Sequence, residues 1–484
     1  MNAVVLVQPR TEAFDALKRG ATMPLSLLSA ARRVHSRYNV AIVDQRSDPA
    51  WKETLKSALE RRPLLVGTTS VTGRQLRHAL DISRFVKSVS DVPVVWGGIH
   101  ASLFPEQTVS EPCVDYVVRG EGEQTLLELA DALAAGSNPS AVPGIASKDG
   151  SRAALAPPRE FLDMDTLEEI PFDLVDPGGF FLRSGRPTAY FETSRGCPNE
   201  CGYCYNVAYH RRRWRAQGAA RVVRRVGEML DRFPGVRHLS IVDDNYFVDR
   251  KRAIAIAGGL AGLGRDLTYQ VQGVQAGLLH AMTDAELVLL RRSGLARVDI
   301  GAETGSGRLL AAMRKRLDLQ DLLALNRRLR RVGIRPWYNF MSGFPGETEA
   351  DFEATLDLVL RIMRENPDAL VSPIYNLAPY PGTEVFEEAR RTGARFPDTT
   401  EGWADFSLDS SNVPWVDDRA RARNAAAYFL SIFVDGKTRE YDTFRPLAWA
   451  AAAYRPVARW RLKNRRFGLL LEKLIADRAI ERLS

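Results

Sequence analysis

Three of the four cysteines in this 484-residue chain lie within eight residues of one another. Cys197, Cys201 and Cys204 follow the apolar run Ala189–Phe191, which predicts a strand, and occupy a segment rich in Gly, Pro and Asn. A loop allows three short thiolates to converge, whereas a regular helix or strand at this spacing does not. Three thiolates without a fourth protein ligand suit a cubane iron–sulfur cluster that keeps one iron open.

Two other interpretations of these cysteines remain open from the spacing alone. A Cys3His zinc site would recruit the nearby His210. Alternatively, the three cysteines are buried structural residues without a metal. The remaining cysteine, Cys113, lies far away in the sequence, and we expect it to be a small buried residue. The clustering favours the iron–sulfur interpretation over the other two.

With the aromatic Tyr203 before its last cysteine, the loop resembles the signature of the radical S-adenosylmethionine (SAM) superfamily. The resemblance implies a [4Fe-4S] cluster held by Cys197, Cys201 and Cys204, whose open iron chelates the amino and carboxylate groups of SAM. It also implies that reduction cleaves SAM to methionine and a 5'-deoxyadenosyl radical, which abstracts a hydrogen atom from the substrate.

Length and composition narrow the class of protein. The length predicts two to four domains, and 45% hydrophobic with 26% charged residues is ordinary for a globular protein. The start of the chain runs directly into the strand-like Val4–Val7, so we expect no secretion signal. Because four cysteines of which three are clustered give no disulfide framework, we expect a reducing, cytoplasmic location.

The net charge of +8 is concentrated at the end of the chain. Residues 419–484 contain 15 Lys or Arg against 6 Asp or Glu, so this segment supplies the whole excess. We therefore expect no nucleic-acid partner for the protein as a whole. Two interpretations of the basic end stay open: a helical lid over the active site, and an amphipathic surface in peripheral contact with anionic lipid.

Residues 1–136 alternate short apolar runs with helical patterns. The predicted strands are Val4–Val7, Val40–Asp44, Leu64–Ser70, Val92–Gly98 and Asp115–Gly120. Continuous apolar strands separated by helices predict an α/β domain with a doubly wound, Rossmann-like parallel sheet and a ligand crevice at the carboxyl ends of its strands. Glycines follow three of these strands, where they either permit close approach of a large flat ligand or simply turn the chain.

This domain resembles the cobalamin (B12)-binding domain that precedes the radical SAM domain in one large subclass. The resemblance implies cobalamin contacts from residues at three strand ends: Ser70, Thr72, Gly73, Arg74, Gln75, Gly97, Gly98, His100, Gly120 and Glu121. The Asp-x-His-x-x-Gly motif, whose His binds cobalt in many cobalamin proteins, is missing, because Gln45 and Arg46 follow Asp44. We therefore expect cobalamin to be bound without a His ligand, with residues 70–75 at its lower face.

Residues 137–185 are predicted to form an extended linker, because they lack periodicity and are rich in Pro and Gly. Residues 186–393 repeat a strand–helix unit about six times, which predicts a partial (βα)6 TIM-type barrel with its chemistry at the carboxyl ends of the strands. The predicted strands are Ala189–Thr193, His238–Asp243, Leu267–Val271, Arg297–Gly301, Arg335–Phe340 and Leu370–Ala378. Residues 394–484 are predicted to be a mainly helical C-terminal region.

Polar residues follow five of the barrel strands. Any single one is more simply a turn or a helix cap, but five in register with the cysteine loop favour a site. The resemblance implies SAM contacts from these positions and from the cysteine loop: Tyr203, Asp243, Asn245, Gln270, Glu303, Tyr338 and Gly343. The sequence assigns no catalytic residue.

The combined resemblance covers about residues 1–395 and implies a cobalamin-dependent radical SAM enzyme. The leading hypothesis is a C-methyltransferase acting on an unactivated carbon through a 5'-deoxyadenosyl radical and methylcobalamin. One alternative uses both cofactors for cyclisation, rearrangement or oxidation, and another is an iron–sulfur or cobalamin sensor or carrier, which would need no SAM pocket. We expect a small-molecule or peptide substrate and an external electron donor of the flavodoxin or ferredoxin type.

Overall fold

The computed structural model describes residues 3–11, 22–150, 152–176, 180, 187–406, 413–439, 445–468 and 471–473. The chain divides into two compact units. The first unit contains the described residues up to Phe180 together with residues 395–406. The second contains residues 187–394 and the described residues from Val413 onward.

The first unit is built on a seven-stranded sheet with the order β2-β1-β3-β4-β5-β6-β7. Its strands are β1 (Ala3–Gln8), β2 (Asn39–Asp44), β3 (Leu65–Thr69), β4 (Val94–Gly97), β5 (Tyr116–Val118), β6 (Ile145–Asp149) and β7 (Arg152–Leu155). Its helices are α1 (Leu25–Val34), α2 (Trp51–Glu60), α3 (Gln75–Val89), α4 (Gly98–Leu103), α5 (Pro105–Ser110) and α6 (Gly122–Ala134). Strands β1–β5 are parallel, which confirms the doubly wound prediction.

Two strands of this sheet, β6 and β7, lie in residues 137–185, which were predicted to be an extended linker. Strands β6 and β7 form a hairpin whose first strand pairs antiparallel with β5, so the sheet extends to Leu155. Gly150 directly follows β6 at the hairpin turn, where Asp149 pairs with Arg152, and it has the positive φ (59°) that such tight turns require. The linker prediction was wrong here because the strands are short and their periodicity is weak.

The second unit is built on a six-stranded parallel sheet in chain order, which confirms the partial barrel. These strands are β8 (Thr188–Phe191), β11 (His238–Ile241), β12 (Thr268–Val274), β13 (Leu295–Glu303), β14 (Arg335–Ser342) and β15 (Leu370–Asn376), while β9 (Ser194–Arg195) and β10 (Arg215–Ala216) form a small antiparallel ladder. The helices are α7 (Asn206–Tyr209), α8 (Ala219–Arg232), α9 (Arg250–Gly262), α10 (Ala276–His280), α11 (Asp284–Arg292), α12 (Gly307–Ala312), α13 (Leu319–Val332), α14 (Glu349–Glu365), α15 (Glu384–Arg391), α16 (Asp418–Ile432) and α17 (Arg445–Lys463).

Burial alternates along the barrel strands. Residues that face the helices are buried, as shown by Tyr269, whose hydroxyl lies 2.8 Å from Ser293 Oγ just after α11. The alternate residues are only partly buried, and they are Gln270, Gln272, Arg297, Asp299, Asn339 and Met341. The inside of the barrel is therefore a partly accessible lumen lined by polar side chains rather than a closely packed core.

Helix α16 lies along the outer edge of the barrel sheet. The backbone N–H of Ile374 donates to Ser431 Oγ (2.9 Å), and that of Val371 donates to Asp435 Oδ2 (2.8 Å). These bonds satisfy edge-strand groups that would otherwise be open to another chain. Among the described residues, no helix is both long and apolar enough to cross a membrane.

Residues 395–406, which we predicted to belong to a helical C-terminal region, instead pack on the first unit. Trp403 is fully buried there and packs against Phe104, with the ring centroids 4.5 Å apart. Arg77 and Arg84 of α3 form ion pairs with Asp405 and Glu401 of this segment. A chain that returns to an earlier domain leaves no local pattern in the sequence, so the packing of residues 395–406 could not be predicted.

We predict that Asp435→Ala destabilises the second unit by about 3–5 kcal/mol, because it leaves a buried cation unpaired. Lys437 is fully buried, its Nζ lies 3.1 Å from Asp435 Oδ1, and burial lowers the pKa of its ammonium to about 8. Urea unfolding of the purified protein would measure the change. The matched control is Asp231→Ala, which removes an exposed ion pair with Arg265 and should cost less than about 1 kcal/mol; equal effects would contradict the prediction.

Candidate active site

The loop that carries the three cysteines is held by Asp244, which follows β11. Its carboxylate accepts hydrogen bonds from the backbone N–H of Gly196 (2.7 Å), the hydroxyl of Tyr205 (3.0 Å) and the amide of Asn206 (2.9 Å). These donors flank the cysteines on both sides. At Gly196, with φ 81°, a Cβ atom would lie 2.1 Å from the carbonyl oxygen of Arg213, so only glycine fits where the loop begins.

The donor set fits an iron–sulfur cluster. Cys201 is buried and Cys197 and Cys204 are partly buried, and burial raises the pKa of the Cys204 thiol to about 12. Thiolates at such positions need a metal to replace the proton. Among the described residues, no three Cys, His, Asp or Glu side chains converge on a single ion. In a cubane each cysteine binds its own iron, so such convergence is not required.

Asn245, which follows the second barrel strand, contacts the cysteine loop. Its Nδ2 donates to Cys197 Sγ at 3.4 Å, while its Oδ1 is buried and has no hydrogen-bond partner among the described residues. A buried acceptor beside the cluster loop fits the ammonium group of SAM. The neighbouring Asp243 is different, because both of its oxygens accept hydrogen bonds from Thr193 and Ser194 at 2.6–2.7 Å. Asp243 therefore anchors the loop.

Glu303 lies at a strained position at the end of β13. It has a positive φ of 62° and sits at a register shift between β13 and β14. Its Oε1 lies 2.9 Å from Lys315 Nζ, and a Cβ on Gly301 would lie 2.2 Å from the same oxygen. Burial raises the pKa of Tyr203, and a hydrogen bond to Glu303 adds to this effect. The structure thus brings the predicted Tyr203 and Glu303 together.

Lys315 was not predicted from the sequence. Burial alone would lower the pKa of its ammonium, but the negative charges of Glu303 and of the Cys201 and Cys204 thiolates reverse this effect, so the pKa is raised. A cation kept charged beside Glu303 fixes the orientation of that carboxylate. Nothing in the local sequence marks Lys315, since it stands among arginines after a short helix.

Gly343 lies beside an apolar wall that includes Tyr203. With φ 83°, it donates its backbone N–H to Glu347 Oε2 (2.7 Å), and its carbonyl accepts from Trp415 Nε1 (2.9 Å). Tyr203, Phe344 and Trp415 belong to one apolar cluster together with Met341 and Leu377. Flat apolar side chains next to backbone polar groups suit an adenine ring. Trp415 was missed because it lies far away in the sequence.

One of the predicted SAM residues faces away from the inside of the barrel. Tyr338 is fully buried and donates its hydroxyl to Asn326 Oδ1 of α13 (3.2 Å), so it faces the helix layer, and its prediction as a SAM contact was wrong. Side chains alternate along a strand, and the sequence did not fix which face of β14 is inward. Gln270 faces the lumen instead, where its amide donates to Ser240 Oγ (2.9 Å).

The lumen also contains an ion pair that was not predicted. Arg297 donates from Nε and NH2 to the two carboxylate oxygens of Asp299, at 2.8 and 3.1 Å. The guanidinium lies 4.8 Å from the centre of the Trp337 ring. Each of the two charged side chains keeps more than a tenth of its surface accessible, so the pair can contact a ligand inside the barrel.

In the first unit, the loops after β3 and β4 pack closely and are joined by hydrogen bonds. Ser70 Oγ donates to the carbonyl of Gly97 (2.8 Å) and accepts from the backbone N–H of Ala101 (3.1 Å). Gly98 has φ 92°, and a Cβ there would lie 2.6 Å from the carbonyl oxygen of Ser70. Gly120 joins this group through its N–H, which donates to Ser102 Oγ (2.9 Å). A Cβ on Gly120 would meet no atom within 4 Å, so this position is open.

His100 fixes the loop predicted to lie under cobalamin. Its Nδ1 lies 2.9 Å from Thr72 Oγ1, and the ring is fully buried beside Phe104 and Trp403. Burial lowers the pKa of His100 to about 3, so the imidazole is neutral. This placement makes His100 a support for the loop rather than a surface contact.

Of the remaining residues predicted to contact cobalamin, three lie in or beside the loop after β3, and Glu121 makes a different contact. Gly73 has φ 116°, Arg74 precedes α3, and Gln75 accepts from the N–H of Val71 at 2.9 Å. Glu121 is directed elsewhere, because its carboxylate accepts from the N–H of Leu162 at 3.0 Å. The individual cobalamin contacts therefore stay predictions, while the residues after β3 and β4 do lie together.

These features define a protein that combines a doubly wound domain with a six-stranded barrel carrying a three-cysteine loop. Residues 191–359 match the family model described as the radical SAM superfamily, and residues 13–130 match that of the B12 binding domain. The chain therefore contains a radical SAM domain and a B12-binding domain.

Relatives of this chain include methyltransferases and a cyclase. An uncharacterised methyltransferase of Pyrococcus horikoshii is 29% identical over 80% of this chain and 83% of that protein. The hopanoid C-3 methylase of Methylococcus capsulatus is 27% identical over 78% of this chain and 67% of its own length. The anaerobic magnesium-protoporphyrin IX monomethyl ester cyclase of Cereibacter sphaeroides is 25% identical over 80% of this chain but only 63% of the cyclase.

Two solved structures share the fold. The radical SAM methyltransferase TsrM of Kitasatospora setae, with cobalamin and a [4Fe-4S] cluster bound, aligns with a TM-score of 0.68 and 20% identity over 81% of this chain and 75% of that one. The cobalamin-dependent radical enzyme OxsB, with aqua-cobalamin and SAM bound, aligns with a TM-score of 0.72 and 17% identity over 96% and 72%.

We predict that Glu347→Gln makes unfolding less dependent on pH. Burial raises the pKa of the Glu347 carboxyl from 4.5 to about 7, against the opposing effects of the Gly343 N–H and Arg423. Because the folded state holds the proton more tightly, wild-type stability should fall as pH rises from about 5 to about 8. The melting temperature of the variant relative to wild type should therefore increase over this range.

The control for this prediction is Glu349→Gln, which removes an exposed carboxylate that pairs with the same Arg423 at 2.7 Å. Its melting temperature should follow the wild-type pH profile. Parallel profiles for Glu347→Gln and wild type would show that Glu347 is ionised across the range and would contradict the prediction.

Proposed function

We propose that the protein is a cobalamin-dependent radical SAM enzyme that acts as a C-methyltransferase on an unactivated carbon. The observation that carries this proposal is the convergence of Asn245, Tyr203 and Glu303 on a three-cysteine loop, in a chain that also carries a B12-binding domain. A sensor or carrier would need no such group of buried polar side chains behind the cysteines.

Each part of the site has a defined task in this proposal. Cys197, Cys201 and Cys204 would hold a [4Fe-4S] cluster, with SAM against Asn245 and Glu303. When bound, the cluster supplies the electron for homolytic cleavage of SAM, and cobalamin supplies the methyl group. Glu303 is oriented by its ion pair with Lys315. The apolar wall around Tyr203 excludes water, which protects a radical reaction from quenching.

We propose that the substrate is a small molecule or a peptide that enters the barrel lumen. The paired charges of Arg297 and Asp299 offer partners for polar groups of either sign, and the Trp337 ring offers an apolar surface. The solved TsrM structure with tryptophan as substrate supports a small-molecule partner. An external one-electron donor of the flavodoxin or ferredoxin type, a cytoplasmic location and peripheral membrane contact complete the proposal.

A second candidate is a radical cyclisation, rearrangement or oxidation without methyl transfer. It is favoured by the similarity to the anaerobic cyclase, which is about as strong as the similarity to the hopanoid methylase. Both candidates use the same cofactor residues, so they differ only in what the lumen binds.

We predict that the anaerobically reconstituted, reduced protein converts SAM to 5'-deoxyadenosine, and that Cys201→Ala abolishes this conversion because the cluster loses a ligand. Mass spectrometry of SAM products would measure both. S-adenosylhomocysteine formed only in the presence of cobalamin supports methyl transfer, whereas 5'-deoxyadenosine alone favours the second candidate. The control is Cys113→Ala, which removes a buried cysteine of the first unit; retained cleavage in Cys201→Ala would contradict the cluster assignment.

We predict that histidine does not ligate cobalt in the bound cobalamin. His100 is buried against Phe104 and its Nδ1 is engaged by Thr72, so its ring is held in place. The Co(II) electron paramagnetic resonance spectrum of cobalamin-loaded protein should be identical whether histidine carries nitrogen-14 or nitrogen-15. A change in the nitrogen splitting on labelling would show a histidine ligand.

A further inference from the structure

Helix α17 (Arg445–Lys463) has two apolar faces, of which one is buried. Ala451, Ala458 and Leu462 lie on the buried face. Tyr454 packs against Phe433, just after α16, with ring centroids 5.2 Å apart. Beyond the helix, Arg465 donates to Asp357 of α14 (2.5 Å). The helix is thus anchored on the second unit, and its orientation is fixed.

The opposite face of α17 exposes a line of apolar side chains. Trp449 is 78% exposed, Trp460 is 58% exposed, and Ala453, Pro456 and Val457 between them are also exposed. Residues eleven apart in a helix share one face and lie about 16 Å apart. Most other large hydrophobic side chains exposed among the described residues are single, but here two tryptophans and a valine form one stripe. A contiguous exposed stripe of this kind marks an interaction surface.

Basic residues surround this stripe. Between Arg445 and Lys473 there are eight Lys or Arg residues and a single acidic residue, Glu472. Glu472 lies 3.2 Å from Arg461 and accepts a hydrogen bond from Tyr454, so its charge is already compensated. Lys463 and Arg466 are exposed at the carboxyl end of the helix. The stripe therefore combines apolar anchors with a strongly positive border.

We infer that this face of α17 docks on an anionic lipid bilayer, with Trp449 and Trp460 inserted at the headgroup level and Lys463 and Arg466 against lipid phosphates. Tryptophan is the side chain best suited to the membrane interface, and a basic border adds attraction to anionic lipid. A protein partner would need a matching acidic surface, and a second copy of the chain would bring two positive borders together. Charge complementarity therefore favours lipid.

The inference rests on the membrane contact in the proposed function and assigns that contact to particular residues. Its test does not depend on whether the protein cleaves SAM. The test is co-sedimentation of the full-length protein with phosphatidylcholine vesicles, with and without phosphatidylglycerol, at low and high salt. We expect binding only to vesicles that contain phosphatidylglycerol, weakened by salt. Trp449→Ser with Trp460→Ser should lower binding about tenfold or more, and Lys463→Gln with Arg466→Gln should have a similar effect.

Matched variants make the result specific. Val89→Ser with Val288→Ser removes exposed apolar side chains elsewhere, and Lys251→Gln with Arg331→Gln removes two exposed charges elsewhere. Neither should change vesicle binding. Brominated acyl chains should quench tryptophan fluorescence in the wild type but much less in the double tryptophan variant, whose melting temperature and SAM cleavage should be unchanged.

Three outcomes would overturn the inference. They are absence of binding to anionic vesicles at low salt, equal binding by wild type and the double tryptophan variant, and a lipid-free dimer that Trp449→Ser with Trp460→Ser converts to a monomer. The last outcome would assign the stripe to a second copy of the chain. Loss of SAM cleavage in the wild type would instead count against the proposed function and would leave vesicle binding as an independent result.

Discussion

The cysteine loop depends on two adjacent carboxylates, Asp243 and Asp244, that follow β11. A loop with three cysteines has no ladder of its own hydrogen bonds, so its shape must be imposed by other groups. Asp243 binds the backbone and hydroxyl groups where the loop begins, and Asp244 binds donors on both sides of the cysteines. Burial raises the pKa of Asp243, and hydrogen bonds from Ser194 and Thr193 oppose this effect. The carboxylates thus anchor the chain on both sides of the three cysteines.

The segment that carries Asp243 and Asp244 also constrains the neighbouring strand, β12. At Gly273 of β12, with φ 65°, a Cβ would lie 2.2 Å from the carbonyl oxygen of Asp243. Register shifts occur around this residue and again beside Glu303. Each irregularity interrupts the regular pairing of neighbouring strands. The strained φ of Glu303 fits this pattern, because strain is kept where packing and an ion pair hold the side chain in place.

The sequence predicted the parts of the fold that depend on local pattern. Apolar runs located all six strands of the barrel, and glycines located the loops of the first unit. The side of a strand on which each side chain lies was harder to predict. Tyr338 and Asn339 are equally compatible with either side of β14 until the helices are packed. Contacts over long distances in sequence were not predictable: Lys315 beside Glu303, Trp415 on Gly343 and Trp403 beside His100 each join residues whose local patterns are ordinary.

The strand ends and the lumen of the barrel differ in how strongly they constrain the sequence, which explains why the cofactors are easier to infer than the substrate. Cofactor-facing residues lie at strand ends, where the loops must have particular glycines, carboxylates and cysteines to hold a fixed chemical group. The lumen is less constrained, because its side chains need only leave room and keep their buried polar groups paired. Arg297, Asp299 and Trp337 occupy inward positions on two neighbouring strands and depend on one another, the guanidinium being held by the carboxylate and stacked on the indole. Because the charges are already balanced, the group costs little to keep in the absence of a ligand, and a substrate must replace contacts that are already satisfied. If the lumen binds the substrate as proposed, selection among polar substrates rests on geometry more than on net charge.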